Sequence, residues 1–98
     1  MCWGAPAVVL DISGATAKVD YGDGIPREVF IGISEGKLEK GELVMVHAGV
    51  IISKLTPEGV LEQISFIREV IGEEDTPWTQ MYEKILKLAE ELRGGKQV

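Results

Sequence analysis

The sequence predicts a mainly β (α+β) fold: a small OB-like antiparallel β-barrel followed by two C-terminal α-helices. Three observations predict it. Residues 5–55 break into five short β-branched or alternating segments separated by glycine turns, the pattern of a small closed barrel. Residues 56–98 change to helical spacing. The chain is 98 residues long and 45% apolar, enough for one compact domain and too apolar for intrinsic disorder. Surface scaling takes roughly 15,500 Å² of unfolded chain to about 5,500 Å² folded, which buries about two-thirds of it without staples.

The segment APAVVLDI (5–12) opens the barrel as an apolar strand, and Ser13-Gly14 turns it. ATAKVDY (15–21) alternates, with Ala15, Ala17, Val19 and Tyr21 on one face and Thr16, Lys18 and Asp20 on the other. That is the period of a half-buried strand. Gly22-Asp23-Gly24 makes the next turn, because glycine and aspartate tolerate positive φ. IPREVFIGI (25–33) returns, with Pro26 near its start where a missing N–H is tolerated. Residues 34–41 read as a polar loop. ELVMVHA (42–48) and VIISKL (50–55) are the last two strands, set around Gly49. Asp20, Asp23, Arg27 and Glu28 read as an ordinary hairpin surface.

The two helices carry start and stop signals. Thr56 caps the first and Pro57 takes its N1 position. Val60, Leu61, Ile64, Ile67 and Ile71 form its apolar stripe, and Gly72 ends it. Thr76-Pro77 repeats the cap. Trp78, Met81, Tyr82, Ile85, Leu88, Ala89 and Leu92 make a second stripe, read as core packing or a partner groove, and Gly94-Gly95 stops it. The expected division is a barrel with an N-terminal cysteine arm over 1–55 and a helical segment over 56–98, packed on the barrel or extending from it, in one domain.

Charge and composition narrow the function. Ten Lys and Arg against sixteen Asp and Glu give a net charge of −6. Residues 57–98 hold five of the bases and nine of the acids. Phosphate binding leans on clustered bases, so no nucleic acid is expected as a partner. No run approaches the roughly 20 apolar residues of a membrane span, and with no basic region before an apolar stretch neither a signal peptide nor a basic membrane anchor is expected. The expected setting is cytoplasmic. One Cys and one His exclude an internal disulfide and a closed zinc cage.

Those two residues are the chemical candidates. Cys2 sits one residue from the chain start, where deep burial is difficult and a nearby ammonium favours the thiolate, the form that binds metals or attacks electrophiles. Trp3 beside it is either a buried anchor or a surface offered to a partner. Gly4 allows close backbone approach and Pro6 stiffens entry into the first strand. His47 ends the apolar strand VMVHAG. It is either a packed histidine satisfied by a backbone carbonyl, or a metal ligand or proton partner for the thiol. Gly49, two residues on, could let another backbone come near. No dinucleotide, phosphate-loop or nucleophile-elbow motif is present.

The chain resembles the HypC/HupF family of nickel–iron hydrogenase maturation chaperones. The resemblance lies in MCWGAP anchored at residue 1, in VDYGDGIPREV (19–29) and in KGELVMVHAGVIISKL (40–55). It extends over roughly residues 1–71. It implies a non-enzymatic chaperone that binds HypD and the hydrogenase large-subunit precursor. It further implies transient handling of an iron carrying cyanide and carbon monoxide, with no tightly bound cofactor. The family's functional cysteine falls on Cys2, exposed once Met1 is removed, and its histidine on His47. A soft thiolate suits such an iron, and a single flexible ligand suits a carrier that must release its cargo. Two features depart from the family pattern. Trp3 and Ala5 stand where aliphatic residues are usual, and residues 77–98 add a second helix that could pack on the barrel, self-associate or select a partner. The alternatives are a metal-free adaptor barrel and a thiol redox protein using Cys2 with His47.

Overall fold

The computed structural model describes residues 4–33, 38–72 and 76–94. Five strands, β1 (Ala5–Ser13), β2 (Thr16–Asp20), β3 (Arg27–Ile31), β4 (Leu43–His47) and β5 (Val50–Leu55), precede α1 (Pro57–Ile71) and α2 (Pro77–Gly94). The strands close in the order β1-β2-β3-β5-β4 and back to β1. Every pairing is antiparallel except β3 with β5. That one parallel seam, Phe30 beside Val50 and Ile31 beside Ile51, closes the barrel. Its bonds run from the Phe30 N–H to the Gly49 carbonyl and from the Gly32 N–H to the Ile51 carbonyl, both 2.9 Å. The mixed α+β fold with a five-stranded barrel and two trailing helices is therefore as the sequence predicts.

The pleat of β1 and β4 sorts side chains into two cores. Ala7, Val9, Val44 and Val46 turn inward and meet Ala17, Val19, Val29 and Ile51 inside the barrel. Val8 and Leu43, opposite each other in the ladder, turn outward and meet Val60 and Ile64 of α1 and Ile85 and Ala89 of α2. Both faces of β1 are buried, which explains its nearly unbroken apolar run.

The helix caps form as their residue types dictate. The Thr56 hydroxyl accepts the Gly59 N–H at 3.0 Å. At α2, Thr76 and Thr79 cap reciprocally: the Thr76 N–H donates to the Thr79 hydroxyl at 2.8 Å, and the Thr79 N–H donates to the Thr76 hydroxyl at 3.1 Å. This is a capping box with threonine in the usual Glu or Gln place, and both residues are buried.

Several details differ from the sequence expectation. The third strand is shorter than 25–33, because Ile25 and Pro26 belong to the turn: Asp23 accepts the Ile25 N–H at 3.1 Å and pairs with Arg27 at 2.8 Å. Asp20 is buried rather than part of a hairpin surface. Its carboxylate accepts the N–H groups of Gly22 at 2.6 Å and Gly24 at 3.3 Å, so it organises the turn from within. In α1 only Val60 and Ile64 of the expected stripe are buried. Leu61 and Ile71 are exposed, as are Phe66 and Val70, because α1 leans on α2 along one side only. Among the described residues no helix is long and apolar enough to cross a membrane.

Candidate functional site

His47 closes β4 and faces Val50 across a two-residue hairpin of Ala48 and Gly49. Both turn residues have positive φ, 52° and 78°, the twist that such tight hairpins require. A side chain starting at Gly49 would meet nothing within 4 Å. Glycine is therefore used there for backbone freedom, and another backbone does come near it: the Gly49 carbonyl accepts the Phe30 N–H of β3 at 2.9 Å. Ala48 adopts the left-handed conformation without that freedom, beside His47, at a cost of about 1–2 kcal/mol.

His47 is half-buried and lies at the end of β4 that pairs with the start of β1. Ala5 lies opposite Val46 and Pro6 opposite Met45. One further step of that register sets Gly4 opposite His47. Alternation along β4, with Leu43 outward and Val44 and Val46 inward, gives Met45 and His47 the outward side, and Met45 lines the groove between sheet and helices. A side chain at Gly4 would collide with the Met45 thioether and approach the Val46 carbonyl oxygen to 3.4 Å. Pro6 is fully buried and precedes Val8, where pairing with β2 begins. Met1, Cys2 and Trp3 lie outside the described residues. Among the described residues no three His, Cys, Asp or Glu side chains gather as a metal-binding group.

This end of the sheet opens onto an apolar groove of about 1270 Å³. Gly4, Pro6 and Met45 supply the sheet side, Phe66, Ile67 and Val70 the α1 side, and Trp78, Met81 and Tyr82 the start of α2. Trp78 is 57% exposed. It lines this groove, so of the two readings the sequence left for its stripe, core packing or a partner groove, the second holds at Trp78. Tyr21 and Arg27 reach the groove from the far end, the guanidinium lying 5.5 Å from the ring centre. Burial pushes the Tyr82 phenol above its ordinary value. Burial also raises Tyr21, partly offset by the Arg27 charge. On Asp23 the Ile25 N–H bond, helped by Arg27, lowers the carboxyl below its usual range.

The groove depends on α2 being docked. Gly22, with φ 98°, packs directly on the backbone of Met81, leaving no room for a Cβ. On the other side, Arg68 of α1 binds Glu83 of α2 at 2.8 Å. Sequence reasoning missed Phe66 and Val70 as site residues. Their i, i+4 spacing was the available signal: a second apolar face, offset from Val60 and Ile64, on a helix too short to be buried all round.

A family model described as HupF/HypC family matches residues 1–75. No curated protein matches the chain. The matched span takes in the barrel and α1 and ends before α2.

Proposed function

The chain belongs to the HupF/HypC family of hydrogenase maturation chaperones, and from that membership we propose that Cys2 and His47 act together on the cargo of this pathway. In this reading the protein binds HypD and the large-subunit precursor. It helps assemble and pass on the iron that carries cyanide and carbon monoxide, with Cys2 as the releasable thiolate ligand and His47 as second ligand or proton partner. The iron is cargo and not a resident cofactor.

One observation supports the pairing. The β1–β4 register leads from Ala5–Val46 to Gly4 beside His47, and only two residue steps separate Cys2 from Gly4. Two extended residues span at most about 7 Å, so the thiol has His47 within its reach. A thiolate is a soft donor suited to such an iron, and imidazole also suits iron.

The test is co-purification with HypD followed by infrared spectroscopy. Cyanide and carbonyl bands should accompany the wild-type complex, vanish in Cys2→Ala and weaken or shift in His47→Ala. Full-strength bands in Cys2→Ala would refute cargo binding by the thiol. The apolar groove supports a second reading, a metal-free adaptor. It expects HypD binding and hydrogenase maturation to survive Cys2→Ala intact.

A further inference from the structure

The groove between the sheet and α1 is unoccupied by any described residue and is built from exposed aromatics: Phe66 at 65%, Trp78 at 57% and Tyr82 behind them. Its α1 lip is acidic. At 100° per residue, Glu58, Glu62 and Glu69 fall on one line, next to the line of Phe66 and Val70. Arg68 is the single base of α1, and it is engaged with Glu83. Glu62 of that line borders the groove itself, and Arg27, paired with Asp23 at 2.8 Å, reaches it from the far end; an apolar trough with an acidic α1 edge fits a straight segment with an apolar face and a basic edge.

We infer that this groove is a docking site for an amphipathic helix of a partner protein, with apolar residues laid against Phe66, Val70 and Trp78 and a Lys- or Arg-bearing edge against the acidic lip. Helix-in-groove binding uses such anchors at helical spacing, and opposite charge on the rim sets orientation and speeds encounter. A second copy fits less well: it would bring the same acidic lip and a net charge of −6, so like charges would oppose. Trp78, Met81 and Tyr82 lie beyond the family-matched span, so α2 gives this chain a docking surface of its own. The inference stands apart from iron binding, because the infrared and docking experiments can fail separately.

The test uses two synthetic 18-residue helical peptides with the same Leu/Phe face, one edged with Lys and one with Glu. Binding to the full-length chain is followed by anisotropy, and the contact by NMR shifts. At low salt the Lys-edged peptide should bind at least tenfold more tightly and shift the signals of Phe66, Val70, Trp78 and Tyr82. The double variant Glu62→Lys/Glu69→Lys should reverse the preference. Phe66→Ser should weaken both peptides at least tenfold while its melting curve stays close to wild type, since that ring is exposed. Equal binding of the two peptides, no binding of either, or an unaffected Phe66→Ser would overturn the proposal. So would contacts of the Trp3 ring with Phe66 in the isolated chain, or groove signals that depend on protein concentration. Those results would assign the groove to the N-terminal arm or to a second copy.

Discussion

Replacing Ile85 by alanine tests whether α2 is an integral part of this fold. Ile85 is completely buried and meets Val8 and Leu43 of the barrel together with Val60 and Ile64 of α1. It therefore joins three elements. Ile85→Ala removes three carbon groups, worth roughly 2.4 kcal/mol at about 0.8 kcal/mol each. Incomplete collapse of the resulting cavity adds about 1 kcal/mol or more. The expected loss is about 3–4 kcal/mol, a large share of the roughly 5–15 kcal/mol that stabilises a domain. Urea titration measures it directly, and the melting temperature should fall by roughly 12–30 °C. Ile52→Ala is the control: that side chain is 47% exposed, and its loss should stay within about 0.5 kcal/mol. A loss below about 1 kcal/mol for Ile85→Ala, equal to the control, would refute the packing described and leave α2 as an appendage.

The contact between Gly22 and Met81 makes a second prediction. Gly22→Ala should destabilise by about 2 kcal/mol or more, because a positive φ costs an alanine about 1–2 kcal/mol and the Met81 backbone must move as well. Gly24→Ala, also at positive φ but with open space around it, should cost only the first part; equal losses in urea titrations would show that the helix contact is not tight. The third concerns pH. Burial raises both tyrosines, Tyr21 and Tyr82, and the chain has no others. A folded value above the unfolded one means the contribution is complete below about pH 10 and disappears as pH climbs through the folded values. Ultraviolet titration should show phenolate appearing later in the folded protein than in denaturant, with stability falling over that alkaline range. Coincident titrations would contradict the burial.

Much of this architecture was legible from local chemistry. The turns at Gly22-Asp23-Gly24 and Ala48-Gly49, the caps at Thr56 and Thr76 and the strand segments all rest on residues whose preferences act within a few positions. Asp20 was misread because its role is satisfied by two backbone N–H groups inside the turn, which alternation along a strand does not reveal. For Trp78 the sequence left core packing and a partner groove open, because helical spacing reports that a residue can face a core, not that the core extends to it. Phe66 and Val70 were overlooked because one apolar stripe accounts for a surface helix, and theirs was the second. For the candidate site, the motif marks Cys2 and His47 as residue types suited to soft-metal chemistry. That Gly4 comes opposite His47 follows only from the pairing of β1 with β4.

The sequence by itself determined the element order, the barrel-then-helices class and the family, because turns, caps, periodicity and an anchored motif are written in neighbouring residues. Tertiary structure alone decided three things: the parallel β3–β5 seam that closes the barrel, the seating of α2 on Gly22, and the groove between the sheet and α1. Each joins residues far apart in the chain. The physical reason is that such contacts depend on how whole faces fill space against one another, and a face's periodicity is the same whichever partner finally covers it.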